Sequence, residues 1–199
     1  MNKWTLKEFA EEQYAVVSKE VCGTSYPSVY REFGDALLSI NNRETLLDIG
    51  CGVGGYGSYC NEMFPEISYS CTDISEHMIE FAKKLAPDGD SFSVCDFFDN
   101  DVTWPDVVLT SSAIEYTRDA WDAARFLLNN APGAIIFHRL HLTHLSSHQV
   151  YEPTYYGARL PKMHWNKNEI LDLLRLTRKV GHVSEWAGGQ MLTVVVEPK

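Results

Sequence analysis

At 199 residues, 45% hydrophobic and 22% charged, the chain has the composition of an ordinary globular domain with room for a small extension, not of a disordered polymer. Acids outnumber bases 27 to 17, and a net charge of −10 argues against duplex nucleic acid or an anionic membrane surface as partner, since both call for a basic face. No stretch reaches the roughly 20 apolar residues of a bilayer span, the first residues lack the apolar core of a secretory signal, and the cysteines form no CxxC pair, so reduced thiols in a cytoplasmic protein are expected.

Two helical patterns come first. Leu6, Phe9, Ala10, Tyr14, Val17 and Val21 recur at helical spacing, residues 23–28 interrupt, and Tyr30, Phe33, Leu37 and Ile40 resume the pattern before Asn41-Asn42. Residues 1–42 are expected to form a helical lid on a domain spanning 43–199. From Thr45 short apolar runs alternate with helices. Leu46–Ile49 predicts a strand, Tyr56–Phe64 a helix, Ser68–Thr72 a strand, and Ser75 the cap of a helix reaching Leu85. Phe92–Cys95 and Val107–Leu109 predict the third and fourth strands. Asp119 opens a helix that Gly133 ends, and Ala134–Phe137 predicts a fifth strand. After a connection of about 25 residues, Asn166–Lys179 reads as a helix and His182–Trp186 and Met191–Val196 as strands.

Hydrophobic strands alternating with helices predict an α/β fold, a mostly parallel sheet with helices on both faces. Only Ala187-Gly188-Gly189-Gln190 separates the last two strands. That is too short for a parallel crossover, so the final strand is expected to run antiparallel.

The segment richest in chemistry is Leu46-Leu47-Asp48-Ile49-Gly50-Cys51-Gly52-Val53-Gly54-Gly55-Tyr56. A strand enters a glycine turn that opens a helix, so backbone amides can approach a ligand where no Cβ intrudes. Gly50, Gly52 and Gly55 also fit GxGxxG, and a nicotinamide-dependent oxidoreductase is therefore the rival reading. Asp48 weighs against it, because a diphosphate at this turn would meet a like charge, whereas a sulfonium and an ammonium would be attracted. The acids that follow weigh the same way. Asp73 ends the second strand, where it can grip ribose hydroxyls, and Asp96 ends the third, placed to accept from an adenine amine with Phe97 as apolar cover. A dinucleotide explains Asp73 but does not need the other two.

With these residues the sequence resembles the class I S-adenosylmethionine-dependent methyltransferases over residues 45–139. Asp48–Gly54 matches their first motif, Asp73 the ribose acid, Asp96 the adenine-side acid, and residues 111–116 the segment after the fourth strand. The resemblance implies a Rossmann-like seven-stranded sheet with an antiparallel last strand. It also implies S-adenosylmethionine as cofactor, held by Asp48, Gly50, Gly52, Gly54, Asp73, Ile74, Asp96, Phe97 and Ser111. More narrowly, Trp4, the aromatic first helices and Tyr155–Pro161 ahead of a C-terminal helix look like a bacterial family of small-molecule methyltransferases often found near surface-polysaccharide genes.

The acceptor is expected beyond the fourth and fifth strands. Ser112, Arg139, Tyr156 and Arg159 are the candidate substrate contacts, and His141, with Tyr116 or Glu115, the candidate base. Four of the seven histidines (His138, His141, His144, His148) fall within eleven positions. As a helix this stretch would bring His141, His144 and His148 to one face, suited to a metal. As a loop it would offer a base or only a polar surface, and no metal is assigned. The expected function is methyl transfer to a small molecule, with a sugar or metabolite hydroxyl favoured. A nicotinamide oxidoreductase and a non-catalytic cofactor-binding protein remain the alternatives.

Overall fold

The computed structural model describes residues 6–23, 25–85, 91–96, 98, 102–153 and 159–199. Trp4, Phe97, Tyr155 and Tyr156 lie outside them. The elements in order are α1 (Lys7–Val21), α2 (Ser28–Leu38), β1 (Thr45–Ile49), α3 (Gly55–Met63), β2 (Ser68–Asp73), α4 (Glu76–Leu85), β3 (Ser91–Val94) and β4 (Val107–Ser111). A single 3-10 turn, Ile114–Tyr116, leads to α5 (Ala120–Asn130) and β5 (Ala134–Thr143). Then follow β6 (His148–Pro153), β7 (Arg159–Asn166), α6 (Lys167–Thr177), β8 (Lys179–Trp186) and β9 (Met191–Glu197).

The sheet is parallel through β3-β2-β1-β4-β5, and β9 then runs antiparallel to β5 with β8 outside it. The last strand is thus reversed, as the short connection requires. The turn between β8 and β9 uses three left-handed residues, Ala187, Gly188 and Gly189, and Gly189 N donates to Trp186 O.

Period-two alternation assigns the two core layers. Leu47, Ile49, Val108, Ile135 and Phe137 face α5 and α6. Leu46, Val107, Leu109 and Ile136 face α2 and α3, and by the same alternation Asp48 and His138 belong to this second layer. Among the caps, Asp119 accepts from Asp122 N, Asn166 from Asn168 N and Glu169 N, and Ser75 from Met78 N. α1 packs on α3 and α4, and α2 on β5 and β9.

Among the described residues the expected seven strands are nine. β5 runs on past Phe137 to Thr143, and the long connection folds into the antiparallel pair β6–β7, with β7 parallel to the far end of β5 (Leu142 opposite Trp165). Trp165 anchors this addition, wholly buried and edge-on to Trp121 at 4.9 Å. The five cysteines are free thiols, and no described helix is long and apolar enough to cross a membrane.

Candidate active site

The strand order turns back on itself at β1 and β4, and a crevice opens beyond their C-terminal ends, where ligands of open α/β sheets bind. A cavity of about 390 Å³ lies there. Asp48, Gly50, Ser111, Arg139 and His141 line it, joined by Gln13 of α1, Tyr30 of α2, Tyr56 and Trp186.

Gly50, Gly52 and Gly54 have φ of 71°, 56° and 81°, a conformation that side chains rarely adopt. Thr72 O accepts the N–H groups of Gly50 (2.8 Å) and Cys51 (3.0 Å), binding the turn to β2. Asp73 braces the same turn: Oδ2 accepts Gly52 N and Oδ1 accepts Ser75 N, both at 2.9 Å. Burial pushes the Asp73 carboxyl up, and those amides oppose the shift.

Asp48 is 1% exposed. Tyr69 Oη donates to its Oδ2 at 2.8 Å, while its Oδ1 has no partner among the described residues. Burial raises the Asp48 carboxyl to about 7; the Tyr69 hydrogen bond opposes the rise and the charge of Asp73 adds to it. A cationic ligand would relieve this strained acid, and a phosphate would aggravate it. The glycine cradle and the unpaired carboxylate oxygen therefore fit a nucleoside with a positively charged tail.

Beyond β4 and β5 the chain makes a second constellation. Glu115, fully buried in the 3-10 turn, accepts three N–H groups: His141 N at 2.6 Å and Trp165 Nε1 at 3.1 Å on Oε1, and His141 Nδ1 at 2.7 Å on Oε2. With Nδ1–H given to the carboxylate, the neutral ring keeps Nε2 as its acceptor. His141 lines the cavity, and Glu115 stands behind it.

A bulge in β5 sets Arg139. Its φ is 58° and that of Ser112 is 56°. Ser112 N donates to His138 O and Ser112 Oγ to Arg139 O, both at 3.0 Å, so two strained residues hold each other. The pairing of β5 with β9 shifts register between Phe137 and Leu140, with Arg139 inside the shift. Burial raises the Tyr56 hydroxyl to about 12, opposed by the Arg139 charge and by Ser111, whose Oγ lies 3.0 Å from Tyr56 Oη. His138 stacks on Trp186 at 5.6 Å, its Nδ1 2.8 Å from Thr193 Oγ1, and burial together with Arg139 holds it well below the usual imidazole range.

Several expected positions lie elsewhere. Ser112 serves the backbone and does not line the cavity, because its left-handed φ directs it to Arg139 O. Arg159 is exposed and donates to Tyr151 O across the β6–β7 pair. Tyr116 lies off the cavity lining, Ile74 is 47% exposed, and Asp96 is exposed, accepting Phe98 N. His141 lies in β5, His144 in the connection after it and His148 opens β6, so the three share no helical face. Strand register instead aligns His141, His164 and His148 across β5, β7 and β6, with successive ring centroids 6.1 Å apart. Among the described residues no three metal-ligating side chains converge. Sequence reading missed Gln13, Tyr56 and Trp186. Only Tyr56, directly after the glycine turn, carried a local signal.

Residues 47–132 match the family described as "Methyltransferase domain". A 66-residue stretch is 35% identical to "Probable methyltransferase PMT19" of Arabidopsis thaliana, covering 30% of this chain; the chain spans 11% of that relative's length. Similar solved structures include a chain of the complex between the Haloferax volcanii Trm112 methyltransferase activator and a methyltransferase. It has a TM-score of 0.73 at 16% identity and covers 100% of this chain and 99% of that one. A TehB-like SAM-dependent methyltransferase from Corynebacterium glutamicum gives 0.64 at 16% identity, covering 97% and 98%. The Burkholderia thailandensis 1,6-didemethyltoxoflavin-N1-methyltransferase, solved with that compound and S-adenosylhomocysteine, also gives 0.64 at 16%, covering 96% and 89%. At such identities the likeness speaks to the fold.

Proposed function

We propose, for a chain whose residues 47–132 match the methyltransferase-domain family and whose fold is like that of a SAM-dependent methyltransferase, that it methylates a small molecule at a hydroxyl. S-adenosylmethionine, when bound, supplies a methyl group on a sulfonium, open to in-line displacement. The chain's own residues then bind, orient and remove a proton.

Asp48 and the amides of Gly50, Gly52 and Gly54 hold the methionine portion. Asp73, at the end of β2, holds the nucleoside, with Ser111 beside it. Arg139, Tyr56 and Tyr30 shape the acceptor side. His141 Nε2 takes the hydroxyl proton, and Glu115 fixes the tautomer and balances the imidazolium that forms.

The observation that carries this reading is the Glu115–His141 pair on the same cavity as the unpaired Asp48 oxygen. A neutral amine can attack before it loses its proton, so a carboxylate-held imidazole favours an acceptor that must be deprotonated first. Calorimetry with S-adenosylhomocysteine and with NADH tests the cofactor: binding of the first alone is expected, and binding of NADH alone would overturn it. Release of S-adenosylhomocysteine across matched hydroxyl and amine metabolites tests the acceptor, and turnover confined to amines would overturn the hydroxyl.

A further inference from the structure

Gln13, which no motif of the sequence singles out, lines the same cavity as Asp48. Besides Asp48 Oδ1, a second buried oxygen has no hydrogen-bond partner among the described residues, Gln13 Oε1 of α1. Both residues line the one cavity. Gln13 is brought there by tertiary packing, since α1 lies across α3 and α4 and its amide rests on the glycine turn. A Cβ placed on Gly52 would come within 2.6 Å of Gln13 Nε2 and 3.0 Å of Oε1.

Two buried acceptors without a donor are unfavourable unless a ligand brings N–H groups to them. One is a carboxylate and the other an amide carbonyl, so the pair suits a group that is positively charged and carries several donors. A primary ammonium meets both conditions, having three N–H bonds and no acceptor. An adenine amine has two donors but no charge, and a phosphate has the wrong sign.

We propose that Gln13 and Asp48 together bind the α-ammonium group at the amino-acid end of the methyl donor, so that the ligand's tail clasps α1 onto the glycine turn. This rests on the cofactor reading above. It assigns to α1 a contact that selects ligands with an intact amino-acid end over the bare nucleoside thioether.

The test compares two ligands on the full chain. S-adenosylhomocysteine carries the amino-acid end, and 5′-methylthioadenosine keeps the nucleoside and thioether without it. Gln13→Leu is expected to weaken S-adenosylhomocysteine binding about tenfold or more, one charge-assisted hydrogen bond being worth roughly that factor, and to leave 5′-methylthioadenosine within about twofold. Gln13→Glu keeps an acceptor at the position and is expected to retain S-adenosylhomocysteine binding. Hydrogen exchange in α1 should slow with S-adenosylhomocysteine and not with 5′-methylthioadenosine.

Equal weakening of both ligands by Gln13→Leu would show a packing role and overturn the proposal, as would no weakening of either. Retained 5′-methylthioadenosine binding also certifies that the variant folds. If the wild-type chain binds neither ligand, the cofactor reading itself falls. If it binds S-adenosylhomocysteine and Gln13→Leu binds it equally well, only the clasp falls.

Discussion

Glu115 holds residue 141 at two points, accepting its backbone N–H on Oε1 and its ring Nδ1 on Oε2. One carboxylate thus sets both where β5 ends its bulge and which ring nitrogen faces the cavity. Trp165 Nε1 completes the carboxylate's surroundings, which ties the β7 strand to the same point.

His141→Ala is expected to lower the rate of methyl transfer by roughly 10²- to 10⁴-fold, the usual contribution of a positioned base. Glu115→Gln should come close to it, because an amide N–H facing Nδ1 favours the wrong tautomer. S-adenosylhomocysteine affinity should change by less than about twofold in His141→Ala, as calorimetry can show. A parallel collapse of affinity would place His141 in cofactor binding instead.

Gly50→Ala places a methyl group 2.4 Å from Ala113 Cβ at a φ of 71°. Overpacking and backbone strain together should cost about 2–4 kcal/mol, and the melting temperature should fall by roughly 5–10 °C for a chain of this size. Adding Ala113→Gly removes the contact but not the strain. The double variant should therefore recover part of the loss in thermal denaturation, and no recovery would show that φ alone decides.

The Asp48 carboxyl titrates near 7 in the folded chain against an ordinary value of 3.8. The folded state then binds more protons than the unfolded one between those values, so this group's contribution to stability falls as pH rises through the window and levels off above it. Its size is on the order of a few kcal/mol. Urea denaturation from pH 5 to 8 should show Asp48→Asn gaining on wild type as pH rises, and a pH-independent gap would refute the assignment. A ligand with a positive tail should bind more tightly across the same rise, since it favours the ionised carboxylate.

Arg178 follows α6 and closes the end of a different helix. Its guanidinium donates to Leu128 O, Ala131 O and Gly133 O at the C-terminus of α5. Arg178→Met keeps much of the apolar stem but leaves buried carbonyls unpaired, at a cost of about 2–4 kcal/mol. Denaturant melts should register that loss while S-adenosylhomocysteine affinity stays unchanged, because the residue lies at the opposite end of the strands from the cavity.

Much of the fold was legible because the signals are local. Leu46–Ile49, Val107–Leu109 and Ala134–Phe137 are apolar at every or nearly every position, as strands covered on both faces must be, and four residues cannot carry a parallel crossover. The continuation of β5 to Thr143 was not legible. Leu140 and Leu142 alternate with Arg139, His141 and Thr143 over five residues only, and the segment becomes strand by pairing with β9 and β7, which lie more than 20 residues away. The histidines show the same limit. Spacing alone suggested a helical face, whereas register across three strands sets His164, not His144, between His141 and His148.

What the amino-acid order determined unaided was the glycine turn, the acids at the strand ends and the antiparallel finish, because turn conformation, strand period and loop reach are properties of a few consecutive residues. Tertiary structure alone decided that Gln13 rests on Gly52, that Glu115 meets His141, and that Ser112 holds the bulge at Arg139. Each of these joins residues 26 or more positions apart. Such contacts follow from how whole layers pack and which strands become neighbours, and no short window of sequence contains that information.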